Sequence, residues 1–137
     1  MSFRPFLGLG LSAVLLSGCV SVRPLIGAEQ VPVDQRVTLV PKSKWVGTSK
    51  VDGENRGYGV VGKFEIRPGL HRITYTGMTN GYMVGTTIVD FERSYDFQPG
   101  HTYEIRNAPT GGPFAVQVVD QQTNVELVPV GTALSPK

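Results

Sequence analysis

Five turn dipeptides punctuate the chain: Asp52-Gly53, Pro68-Gly69, Asn80-Gly81, Pro99-Gly100 and Gly111-Gly112. They recur at intervals of roughly 10–20 residues, the rhythm of short strands folded back on one another. Between them the side chains suit a pleated surface. In residues 19–137 Val, Ile and Thr total 34, against nine for Ala and Leu. β-Branched side chains lose rotamer freedom in helices and pack well on sheets, whereas Ala and Leu favour helices. No window of about twelve residues carries an apolar stripe at i, i+3, i+4 and i+7.

Alternation places the strands. Val37 and Leu39 mark a first one, ended near Pro41-Lys42. Trp45 to Val51 forms a second, up to the Asp52-Gly53 turn. Phe64 and Ile66 alternate with Lys63, Glu65 and Arg67, giving one buried and one wet face. Leu70 to Thr76 follows Pro68-Gly69, with Ile73 and Tyr75 on one face. From Tyr82 to Phe97, Val89, Phe91, Tyr95 and Phe97 share a face opposite Asp90, Glu92, Ser94 and Asp96. Arg93 interrupts the apolar row, so a bend or bulge is expected there. Tyr103 and Ile105 make another strand. Phe114-Val116-Val118 and Val125-Leu127 close a hairpin across Asp120–Asn124. The expected fold class is all-β, a small antiparallel β-sandwich of seven or eight strands after a cleaved signal peptide. The 137 residues, 40% hydrophobic, suffice for one core.

The N-terminus has a different character. Arg4 precedes an apolar run from Phe6 to Leu16 that is too short to span a hydrocarbon core of about 30 Å as a helix. It has the form of a secretory leader. Leu16-Ser17-Gly18-Cys19 follows at once, and Cys19 is the only cysteine in the chain. This stretch resembles the bacterial lipobox. The resemblance implies a diacylglycerol joined to the Cys19 thiol, cleavage before Cys19, and acylation of the new amino group by a fatty acid such as palmitate. Several acyl chains hold a protein firmly to a bilayer, at about 0.8 kcal/mol per buried methylene. In Gram-negative signals of this kind an aspartate after the cysteine favours the inner membrane. Val20 stands here instead, which implies the outer membrane, facing the periplasm. The expected organisation is a signal peptide over 1–18, the lipidated cysteine and a tether over 19–30, the sandwich over 31–128, and a loose tail over 129–137.

Four fragments form an ordered series: Val51-Asp52-Gly53-Glu54, Phe64-Glu65-Ile66-Arg67-Pro68-Gly69-Leu70-His71-Arg72-Ile73, Gly100-His101-Thr102-Tyr103-Glu104-Ile105 and Val118-Val119-Asp120. The series resembles small bacterial lipoproteins bearing a PEGA-like β-sandwich module, over roughly residues 36–128. The resemblance implies a fold and an envelope location, with no catalytic residues to carry over.

Several residues invite chemistry and have structural alternatives. His71 and His101 each stand beside a Pro-Gly turn. As metal ligands they lack a third histidine or a free cysteine, since Cys19 is the lipidation site; the alternative is a turn-side hydrogen bond. Ser94, Asp96 and His101 suggest a hydrolase triad, but no G-x-S-x-G elbow surrounds any serine. Glu65 with Glu92 or Glu104 suggests a glycosidase pair, yet all three alternate with apolar residues as a wet sheet face requires. Gly57-Tyr58-Gly59-Val60-Val61-Gly62 resembles a phosphate loop without the helix that would follow it. Trp45, Tyr58 and Tyr82 are candidate contacts for a partner or ligand, Tyr82 within Asn80-Gly81-Tyr82-Met83; the alternative is that these rings cap the core.

The net charge of +2 carries no basic stripe for nucleic acid and no acidic run for cations. The expectation is a lipid-anchored, non-catalytic module of the cell envelope that binds another envelope protein. It needs no cofactor or metal. The alternative is a small-ligand or glycan-binding lipoprotein. A concave pocket of aromatic rings would favour a ligand; a flat apolar patch or an unpaired edge strand would favour a protein.

Overall fold

The computed structural model describes residues 23–24, 27–55, 62–81 and 85–131; Cys19, Tyr58 and Tyr82 lie outside them. The described strands are β1 (Arg23–Pro24), β2 (Val37–Pro41), β3 (Val46–Val51), β4 (Glu54–Asn55), β5 (Phe64–Ile66), β6 (Gly69–Gly81), β7 (Gly85–Phe97), β8 (Thr102–Asn107), β9 (Val116–Asp120) and β10 (Glu126–Leu127). Seven of them are three residues or longer, which meets the expected seven or eight. They form two sheets, in the orders β1-β5-β2-β8-β9-β10 and β4-β3-β6-β7. The all-β sandwich read from the alternation is the fold.

The core lies between the sheets. Val37, Leu39, Phe64, Ile66, Tyr103, Ile105 and Val118 come from the first sheet, and Val46, Val51, Ile73, Tyr75, Tyr95 and Phe97 from the second. The alternation rule accounts for most of them: core residues sit two positions apart in β2, β5, β6, β7 and β8, whereas Val46 and Val51 of β3 lie five apart, across a break in register.

The pairing departs from a purely antiparallel arrangement at two places. β2 runs parallel to β8, with Leu39 opposite Tyr103, and β1 runs parallel to β5, with Arg23 opposite Phe64. Residues 42–101, which separate β2 from β8, build β5 and the whole second sheet, so they act as the long crossover that parallel strands need.

The bulge expected at Arg93 is not there. β6 and β7 pair without interruption from Gly69 opposite Phe97 to Gly81 opposite Gly85. The register break lies instead in β3, between Thr48 and Lys50. Arg93 faces the core side, opposite Ile73, but β7 is the last strand of its sheet. The guanidinium therefore passes over the Phe91 ring at 5.5 Å and stays exposed, without distorting the backbone.

Described residues within the expected tether and tail take part in the fold. Arg23–Pro24 is already a strand, and Ala28, in a short 3₁₀ turn, is fully buried. At the other end Val130 N–H donates to the Ser94 carbonyl at 2.7 Å, tying the segment after β10 to the edge of β7.

The sandwich has two distinct ends. The lower end gathers the turns at Pro68-Gly69 and Pro99-Gly100, the Asp52-Gly53 turn and Asp120. The upper end carries the β6–β7 hairpin, the β2–β3 connection and Phe114, whose ring packs on Gly77.

Candidate functional site

The four sequence fragments come together in pairs at the lower end. Asp52 adopts a left-handed conformation, φ 51°, ahead of Gly53 at φ 82°. This turn aims the carboxylate at the start of β6. Asp52 Oδ1 accepts from the Arg72 amide at 2.8 Å, and Asp52 Oδ2 lies 2.5 Å from His71 Nδ1. The second ring nitrogen, Nε2, lies 2.8 Å from the Arg67 carbonyl oxygen. In the first sheet His101 Nδ1 lies 2.6 Å from Asp120 Oδ2, while Asp120 Oδ1 accepts from the Gln122 amide at 2.9 Å. The two pairs are complementary in burial. His71 is buried and Asp52 half-exposed; His101 is partly exposed and Asp120 buried.

Both carboxyls lie below the ordinary aspartate range. Burial pushes the Asp52 carboxyl up, but the Arg72 amide and the hydrogen bond and charge of His71 outweigh it. Burial likewise raises Asp120, and the His101 bond, the Gln122 amide and the His101 charge bring it down.

A line of rings connects the pairs. His71 and Phe97 centroids are 6.3 Å apart, Phe97 and Tyr103 5.0 Å, and Tyr103 and His101 6.1 Å. The Tyr103 hydroxyl accepts from the Gln98 amide at 2.9 Å. Each ring comes from a different strand or turn, so the pairs and the rings lock the lower end across both sheets.

No family model, curated protein or solved structure matches this chain. The four sequence fragments supply the two histidine–aspartate pairs.

The other candidates fall apart spatially. Ser94 and Asp96 stand on the outer face of the second sheet, opposite Arg72 and Leu70, while His101 belongs to Asp120. The three carboxylates are held by separate cations: Glu65 by Arg36 at 3.0 Å, Glu104 by Lys42 at 3.2 Å, and Glu92 by Arg72 at 3.8 Å. Among the described residues no three His, Cys, Asp or Glu side chains gather as metal ligands. Of the glycine-rich run only Gly62 is described. A shallow depression of about 440 Å³ is lined by Arg72, Glu92, Arg93, Ser94, Val130 and Gly131, with no aromatic ring among them.

Trp45 is exposed, at 43%. Its carbonyl accepts from the Met78 amide at 3.1 Å, and Met78 stands opposite Ile88. Trp45, just before β3, Met78 of β6 and Ile88 of β7 thus lie in one apolar row on the outer face at the upper end, all three exposed. Lys44 Nζ lies 5.2 Å from the centre of the Trp45 ring. Met78 and Ile88 were not singled out from the sequence. The signal was there: with Leu70, they are the apolar residues on a face of β6 and β7 otherwise given to Thr, Asp, Glu, Ser and Arg.

β7 is an edge strand of the second sheet. Ser94 pairs with Arg72, and the Arg72 amide and carbonyl turn toward Asp52, away from β7. Even-numbered residues of β7 accordingly direct their N–H and C=O away from β6. The lower part of this edge is covered: the Glu92 carbonyl accepts from Arg93 Nη1 at 2.8 Å and the Ser94 carbonyl from Val130. Among the described residues, nothing meets the outward backbone groups of Ile88 and Asp90.

Proposed function

We propose that this protein is a lipid-anchored, non-catalytic module of the cell envelope that binds another envelope protein by strand addition to the upper edge of β7. The observation that carries the reading is the contrast along one strand. Arg93 and Val130 blunt the edge below, as soluble proteins do to prevent unwanted pairing, and the backbone at Ile88 and Asp90 stays open above. An extended peptide gains affinity from such main-chain groups and specificity from the side chains beside them. The lipobox at Leu16–Cys19 supports the anchor, and the separation of Ser94, Asp96 and His101 supports a role without catalysis. The destination of the anchor is the outer membrane, with the sandwich in the periplasm.

Proline at an edge position whose N–H points outward leaves the internal ladder intact. Asp90→Pro therefore removes a donor from the partner strand alone. With a photoreactive amino acid at position 89, exposed on the other face of β7 beside the same edge, the adduct formed by the wild type in intact cells is lost in Asp90→Pro and kept in Asp90→Ala, which retains the N–H. An adduct that survives Asp90→Pro removes strand addition from the account.

A further inference from the structure

We infer that the apolar row Trp45, Met78 and Ile88 rests on the lipid surface to which the chain is anchored. The inference uses the anchor at Cys19 from the reading above and adds a second contact, at right angles to the β7 edge.

The direction of β1 carries the first part. β1 runs parallel to β5, and β5 runs antiparallel to β2, whose Val37 lies at the lower end and whose Pro41 lies at the upper end. The chain therefore enters Arg23 from above, from the end where the β6–β7 hairpin lies.

Reach carries the second part. Cys19 is four residues before Arg23, and four residues span at most about 14 Å. Arg23 is opposite Phe64, Phe64 opposite Leu39, and Leu39 opposite Tyr103. Asn107 is four residues above Tyr103 on β8, and it pairs with Val116, two residues after Phe114, whose ring lies on Gly77. Gly77 neighbours Met78. A fully extended leash thus brings Cys19 no higher than about the level of the row. An acylated Cys19 sits at the bilayer surface, so that surface cannot stand clear of the upper end of the domain.

Chemistry carries the third part. Among the described residues, the outer face at the upper end presents to that surface an indole, a thioether and a branched aliphatic chain, with the Lys44 ammonium beside the indole. Indole rings and lysines settle at the level of lipid headgroups, the ring in the apolar boundary and the amine among the phosphates. An exposed apolar row that meets water in a free domain is covered when the domain lies on lipid.

Trp45 is the only tryptophan of the chain, so tryptophan emission reports on this face alone. The experiment uses the full chain, its acylation established first by intact mass. The protein is reconstituted in vesicles of phosphatidylethanolamine and phosphatidylglycerol, with and without bromine on the acyl chains. The expected result is a blue shift of Trp45 emission and strong quenching by the brominated lipid. Inserting a long Gly/Ser segment after Val22 together with Met78→Ser and Ile88→Ser should reverse both, while the protein still floats with the vesicles. Acylated protein that floats with the vesicles but shows the emission of Trp45 in water overturns the lipid-facing row and leaves the anchor standing. A blue shift without bromine quenching means that protein, a second copy included, covers the row, and it overturns the inference as well. A chain that carries no acyl group removes the anchor and the inference together.

Discussion

His71 Nδ1 lies 2.5 Å from Asp52 Oδ2, nineteen residues away along the chain, and the bond ties the turn after β3 to the start of β6. The same separation recurs between His101 and Asp120, where it ties the start of β8 to the end of β9. Each pair closes the end of one sheet, and the Phe97–Tyr103 contact joins the sheets between them.

These pairs give the fold an acid limit. Both aspartates have carboxyls lowered in the folded state. The stability they contribute is fully present above the ordinary aspartate value of about 4 and is lost as pH falls through their lowered folded values. Glu104, raised by burial but brought down further by Lys42, Gln121 and Arg106, acts in the same direction. Melting temperature should hold from neutral pH to about 4 and drop below it. Asp52→Asn with Asp120→Asn should lower stability at pH 7 and flatten the acid limb. A double variant with the wild-type acid slope would contradict this origin.

The two histidines should not be equivalent. His71→Ala removes two hydrogen bonds from a buried ring, one of them to a carboxylate, and a packing partner of Phe97. It should cost about 2–3 kcal/mol. His101→Ala removes one bond and the stacking on Tyr103 from a ring that is partly in water, while Asp120 keeps the Gln122 amide, and it should cost about 1 kcal/mol. Denaturant melts of both variants check the order; equal losses, or the reverse order, would contradict the assigned geometry.

Much of this was legible in the residues. The alternation at Val37 and Leu39, at Phe64 and Ile66 and along β7 names the core, because a period of two leaves little choice of face. The parallel pairing of β2 with β8 was not legible, since no local pattern tells a strand which distant neighbour it takes. Arg93 misled for a related reason: a charge in an apolar row disturbs a central strand but is harmless at an edge, and edge position is a tertiary property. The histidines were visible beside their turns. Their carboxylate partners were quoted in the same fragments, yet only the folded chain joins Asp52 to His71 and Asp120 to His101. Ala28 and Arg23 were read as tether because a short segment whose apolar residues keep no steady spacing gives no periodicity to find.

Gly77 tests the upper end. A Cβ there would overlap the edge of the Phe114 ring. Gly77→Ala should cost about 1–3 kcal/mol as the ring is displaced. Phe114→Leu should be more easily tolerated in that background than alone, because the two changes share one contact. Additive losses in the double variant would show that the ring does not occupy this position.

The central claim is a lipid-anchored module, and the acyl group on Cys19 tests it most directly. Cells fed labelled fatty acid should yield a labelled wild-type protein in the membrane fraction. Cys19→Ser should carry no label and leave that fraction. A wild-type protein that takes up no fatty acid, or a Cys19→Ser variant that remains labelled, would contradict the account.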